Sequence, residues 1–130
     1  MSTAAVRERF ELGSGLDAPR QARVLARELV GDRLDGRRRN DLLVLVTELV
    51  TNAVRHAGLG PGDQITLKLM AANGVVRAEV CDPGPGFVPV ERPPGPDGGF
   101  GLPLLRSLSD RWGISSPGEP TCVWLELDVG

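Results

Sequence analysis

Three short segments of this chain carry side chains whose types and spacing can do chemistry. In ELVTNAVRHA, Glu48, Asn52 and His56 are four apart, so on a helix they stack along one face. Their neighbours Leu45, Leu49 and Ala53 are apolar, and a polar stripe on a core helix must find partners. An unmet buried amide costs roughly 1–3 kcal/mol, and a charge more. Pairing of Glu48 and Asn52 with Arg55 or with backbone groups would satisfy the stripe without any ligand. In CDPGPGF, Asp82 ends a strand-like run and Pro-Gly-Pro-Gly turns the chain sharply away. A strand-end carboxylate can accept a hydrogen bond from an exocyclic amine such as that of adenine. Gly84 and Gly86 would let backbone approach a base and ribose with no Cβ in the way, although the same residues also spell a plain Asp-Pro-Gly turn. In GGFGLPLLRSLSD, Gly98, Gly99 and Gly101 lead into the helical pattern of Leu102, Leu104, Leu105 and Leu108. Free N–H groups and the helix dipole at such a start suit a phosphate, and a loop-to-helix turn without a ligand is the simpler explanation of that run taken alone.

The elements that must position these groups follow from periodicity. Residues 6–12 alternate charged and apolar side chains, the period of a half-buried strand, here an edge strand. Asp17 can cap a helix that begins near Ala18 and Pro19, and Ala22, Leu25, Ala26 and Leu29 recur at helical spacing until Gly31. Arg20, Arg23 and Arg27 are expected to face water. A second helix is expected from about Arg37 to Ala57, with Leu42, Leu45, Val46, Leu49, Val50, Ala53 and Val54 as a broad apolar face. Residues 65–71 and 75–82 read as two strands joined by Asn73-Gly74, a strong hairpin signal. The proline- and glycine-rich stretch 83–98 excludes regular structure and reads as a functional loop between patterned flanks. A helix from Phe100 to about Asp110, residues 112–116, a turn at Pro117 to Pro120 and a strand over 121–129 complete the chain. The order β-α-α-β-β-loop-α-β-β predicts an α+β fold, a two-layer α/β sandwich whose mixed, mostly antiparallel sheet has helices on one face.

The 130 residues predict one domain spanning 1–130, since a second core would leave both halves too small. Apolar residues at 41% and charged residues at 25% exclude a disordered or fibrous chain. A net charge of −2 argues against direct binding to nucleic acid. The run Arg37-Arg38-Arg39 reads as a solvated helix start rather than as a docking patch for an acidic partner. Cys81 and Cys122 lie inside apolar runs without metal spacing, which predicts buried free thiols of a reducing compartment. The N-terminal MSTAAVRERF lacks a signal-type apolar segment, and no run of roughly 18 apolar residues offers a membrane span. A cytoplasmic protein with no membrane contact is expected.

Taken together, ELVTNAVRHA, DPGPGF and GGFGLPLLRSLSDRWG resemble the N, G1 and G2 boxes of the GHKL ATPase superfamily, with its Bergerat ATP-binding fold. Within it the chain is most similar to the small anti-sigma factor serine/threonine kinases of the RsbW and SpoIIAB type, over nearly its full length. The resemblance implies that Asn52 ligates Mg²⁺ through its side-chain oxygen, a hard donor for a hard ion. It implies that Glu48 is the general base for attack on the γ-phosphate of ATP. Asp82 would hold the adenine amine, supported by Thr121 directly or through a water. Gly84 and Gly86 would line the base, Gly99 and Gly101 would present N–H groups to the phosphates, and Leu102 would join the nucleotide contacts. Residues 87–98 would form an ATP lid.

The resemblance further implies a sigma factor and a small STAS-type antagonist as protein partners, and a homodimer built on the N-terminal strand and first helix. The sequence departs from the family pattern at Phe100, where an arginine is frequent, and at Pro103 in the first turn of its helix. Asp97 and Gly98 precede Gly99 with no basic residue, and Arg92 is the sole cation of the lid stretch. A non-catalytic ATP-binding interaction module, switched by ordering of the lid, is therefore the second reading; it has no need of a base at Glu48. A sensor histidine kinase is disfavoured, because the only histidine, His56, lies inside the N-box stripe. Gyrase-type functions would need further domains.

Overall fold

A computed structural model gives the fold and describes residues 4–56, 62–83, 101–115 and 121–129. Strand β1 (Val6–Gly13) is followed by helix α1 (Ala18–Val30), a 3-10 turn at Gly31–Arg33, and helix α2 (Gly36–His56). Then come the hairpin of β2 (Gln64–Ala72) and β3 (Val75–Asp82), helix α3 (Gly101–Leu108), β4 (Arg111–Ser115) and β5 (Thr121–Asp128). The five strands form one sheet in the order β1-β2-β3-β5-β4. Every pairing among the described residues is antiparallel, so the sheet is not mixed. β1 is an edge strand, as its alternation predicts.

Local chemistry accounts for the elements. Asn73 (φ 53°) and Gly74 (φ 77°) both take the left-handed conformation that a two-residue hairpin turn requires. Pro19 sits in the first turn of α1, where its missing N–H costs nothing. Asp17 precedes α1 but its side chain makes no capping bond; its carbonyl accepts the Gln21 N–H instead. The helix ends at Val30, and Gly31 continues into the 3-10 turn with right-handed φ and ψ. Asp35 caps α2, its Oδ1 accepting the backbone N–H of Arg38 at 2.8 Å.

The core lies between the helices and one face of the sheet. Ala22, Ala26 and Val30 of α1 and Leu42, Leu45, Val46, Leu49 and Val50 of α2 meet Ile65, Leu67 and Leu69 of β2, Val76 and Ala78 of β3, and Leu125 and Leu127 of β5. Each fully buried Leu, Ile or Val contributes roughly 1.5–3 kcal/mol of transfer free energy. Helix α2 is central, packing against α1, α3, β2, β3 and β5.

The arginine run at 37–39 is not simply a solvated face. Arg37 is exposed, but Arg38 reaches the carboxylate of Asp110 beyond α3 and approaches Asp41 at 3.8 Å. Arg39 donates from Nε to the Gly31 carbonyl at 3.0 Å and from Nη2 to that of Leu34 at 3.3 Å, tying the 3-10 turn to α2. The sheet face turned away from the helices is polar. There Arg77 stacks over the Trp124 ring, 4.3 Å from its centroid, and bonds Glu79 at 3.3 Å and Glu126 at 3.1 Å. Arg111 pairs with Glu126 and Asp128, and with Arg77 it holds the Glu126 carboxyl below the usual carboxylate range.

Candidate functional site

Helix α2 places Glu48 and Asn52 one turn apart, beside the buried run of Leu45, Leu49 and Ala53. Asn52 is 6% exposed, so its amide lies in the interior rather than on a solvated helix face. Glu48 is half-buried, and its Oε2 is sealed from solvent with no hydrogen-bond partner among the described residues. Burial pushes the Glu48 carboxyl above its ordinary range, and the positive charge of Arg55 opposes that only in part. A sealed carboxylate oxygen without a donor is costly, and it persists most readily where a ligand or substrate supplies the missing partner.

Asp82 is the last residue of β3 and is 3% exposed. It shares its strand face with Val76, Ala78 and Val80, which are buried against the helices, so it belongs to the helix side of the sheet. The register pairs Asp82 with Thr121, the first residue of β5. Two positions far apart in sequence thus stand side by side at one end of neighbouring strands. Gly101 and Leu102 are the first residues of α3.

Because α2 contacts β3, β5 and α3, and β3 contacts β5, the elements bearing these segments form one connected group. Gly84, Gly86, Gly99 and the stretch 87–98 lie outside the described residues, as do the side chains of His56, Leu102 and Thr121. The residues present suit a magnesium nucleotide: an amide oxygen as a hard ligand at Asn52, an unpartnered carboxylate oxygen at Glu48, and an interior carboxylate at a strand end.

The expectation for the cysteines is overturned. Cys81 and Cys122 are not free thiols but are joined to each other in a disulfide. The reason lies in the sheet: β3 and β5 pair so that the two cysteines stand directly opposite each other, next to the Asp82–Thr121 pair. Spacing along the chain carries no signal of that register, since the cysteines are 41 positions apart.

A sequence profile for the histidine kinase-like ATPase domain matches residues 15–127. No curated protein matches the chain. Among solved structures, the crystal structure of the RsbU and RsbW domains of Rv1364c from Mycobacterium tuberculosis superposes with a TM-score of 0.73 at 23% identity. That match covers 95% of this chain and 32% of the other, so this chain spans about a third of its neighbour and the likeness is one of fold. The profile match takes in the α2 stripe, the end of β3, the start of α3 and nearly all of β5, and by it the chain belongs to the histidine kinase-like ATPase domain family.

Proposed function

We propose that residues 1–130 act as one ATP-binding regulatory unit with protein-serine/threonine kinase activity, working in the cytoplasm. It would phosphorylate a small STAS-type antagonist and sequester a sigma factor. The observation that carries the reading is the sealed Oε2 of Glu48, unpartnered among the described residues, one turn before the interior amide of Asn52, in a chain of the histidine kinase-like ATPase family. The fold shared with a structure containing an RsbW domain supports the choice of partners, which remain an analogy of fold. Among the described residues no helix is long and apolar enough to cross a membrane.

The division of labour is the one that the family resemblance implies, and the residue chemistry agrees with it. Asp82, backed by Thr121, accepts the adenine amine, Gly84, Gly86 and Leu102 border the nucleotide, and the N–H groups of Gly99 and Gly101 meet the phosphates. The Asn52 oxygen would hold Mg²⁺, which would supply charge neutralisation to the phosphates. Glu48 takes the proton of the acceptor serine or threonine hydroxyl. As that proton leaves, the hydroxyl oxygen bonds to the γ-phosphorus, the bond to the bridging oxygen breaks, and ADP departs. A carboxyl raised above its ordinary range is a stronger base for that step, which is worth about 10²–10⁴-fold in rate.

The test is a pair of variants with both binding and transfer measured. Glu48→Ala is expected to keep Mg·ATP binding and abolish transfer to an STAS-type acceptor, and Asn52→Ala to lose Mg-dependent binding. Equal affinity and equal transfer in both would refute the assignment. The second reading, a non-catalytic ATP-switched module, draws on Asp97 and Gly98 before Gly99 and on Arg92 as the lid's sole cation. Wild-type protein that binds ATP but transfers nothing to any acceptor would favour it.

A further inference from the structure

The disulfide sits behind the proposed nucleotide site. Cys81 precedes Asp82 and Cys122 follows Thr121, and these four residues make two adjacent rungs of the β3–β5 ladder. Side chains alternate along a strand, so the sulfur bridge lies on the polar face while Asp82 belongs to the helix face. The bridge therefore clamps, from the reverse side, the terminal rung of the ladder. Strand ends open at much lower free energy than strand centres. With the bridge gone, this rung loses its covalent tie and keeps its backbone pairing and the burial of Asp82. Both cysteines are nearly buried, at 7% and 8% exposure, yet they border a surface cleft of about 520 Å³ together with Arg9, Lys68 and Pro83. That cleft gives a small thiol a route to the bond.

We infer that Cys81 and Cys122 form a reversible thiol–disulfide switch that sets nucleotide affinity by clamping or releasing the Asp82–Thr121 rung. The inference rests on the nucleotide site proposed above. In the reducing step one thiolate of a small dithiol attacks one protein sulfur, breaking the protein S–S bond and expelling the partner cysteine as a thiolate, to give a mixed disulfide. Its second thiolate then attacks the reagent's own sulfur in that mixed disulfide, closing the reagent's ring and expelling the cysteine first attacked. Two electrons pass to the protein, two cysteine thiols result, and a low-molecular-weight disulfide runs the reverse reaction. In a cytoplasmic setting, disulfides are usually transient and either catalytic or redox-sensing, which suits a switch better than a permanent brace. Glu79 lies close enough to both sulfurs to complete a set of three metal-ligating atoms. Arg77 already engages Glu79, however, and the sulfurs bond each other, so redox chemistry is the better use of the pair.

If the reduced rung is paired about a third of the time, the apparent Kd for nucleotide rises about three-fold. The experiment uses the full chain, oxidised with oxidised glutathione or reduced with dithiothreitol, with the state verified by alkylation and intact mass. Mg·ATP affinity is measured calorimetrically in both states, alongside amide hydrogen exchange over residues 78–82 and 121–125. The expected result is a reversible affinity loss of about three-fold on reduction, faster exchange at both strand ends, and a Cys81→Ser/Cys122→Ser variant fixed at the reduced values under either condition. The wild-type comparison alone decides the matter if that variant does not fold. Equal affinity and equal exchange in the two states would overturn the switch through failure of the clamp. Absence of ATP binding in both states would overturn it through failure of the site, and the exchange data tell the two apart.

Discussion

Replacing Glu48 by glutamine separates the cost of this side chain from its use. Among the described residues the carboxylate oxygen Oε2 is sealed without a partner, and burial raises the carboxyl's pKa. A group whose folded-state pKa exceeds its unfolded value contributes fully below the unfolded value, and that contribution is lost as pH rises through the folded one. At pH 7–8 the ionised Glu48 therefore weakens the fold. An unmet buried polar group costs roughly 1–3 kcal/mol, and the rest of this half-buried carboxylate reaches solvent, so the low end applies. Glu48→Gln should accordingly stabilise the protein by about 1 kcal/mol at pH 8, or roughly 4 °C in Tm for a chain of this size, while abolishing phosphoryl transfer. The gain should shrink toward pH 4, where the wild-type carboxyl is mostly protonated in both states. Scanning calorimetry of both proteins from pH 4 to 8 measures this. A variant no more stable than wild type at pH 8, or one stabilised equally at both ends of the range, would refute the reasoning.

The same raised pKa predicts that wild-type transfer falls as pH drops through it, an acid limb above the ordinary carboxylate range that pH–rate profiles would reveal. Asp110→Ala should destabilise by about 1–2 kcal/mol in urea, and Arg38→Ala by less than about 1 kcal/mol, because Asp110 also accepts the Asp128 N–H at 2.7 Å. Equal losses would show that the backbone bond contributes nothing. Gly113→Ala would set a Cβ 2.7 Å from the Trp124 ring, and should cost about 1–3 kcal/mol with an altered tryptophan emission. An unchanged Tm and spectrum would mean the ring moves aside freely.

Elements specified by neighbours along the chain were legible in the sequence. Asn73-Gly74 announces its hairpin through backbone chemistry alone, and the apolar spacing of α1 and α2 marks their buried faces. The α2 stripe was legible for the same reason, because Glu48 and Asn52 interrupt an apolar pattern on one helix. Features that depend on distant partners were hidden. Arg38 looks like a surface charge until α3 brings Asp110 to it, and Arg39 until the chain folds back on Gly31 and Leu34. The cysteines look like two unrelated core residues until the β3–β5 register sets them opposite each other. Asp82 was identified by its strand-end position, while its association with Thr121 came only from the family resemblance, because the pairing itself is a property of the sheet.

The strand order has a consequence for how the molecule comes into being. β1, β2 and β3 are neighbours in one meander-like half of the sheet, but β5 enters between β3 and β4, against a strand that ended long before it in the chain. Closing that distance carries a loop entropy that the β2–β3 hairpin never faces. During synthesis β3 stands as an unprotected edge until the last strand emerges, with the half-formed sheet offering its backbone to any passing chain. The topology thus predicts that the Asp82–Thr121 pair is completed late in folding. A ligand that needs both residues recognises only a chain that has finished, so it favours completed folding over the aggregation-prone forms before it.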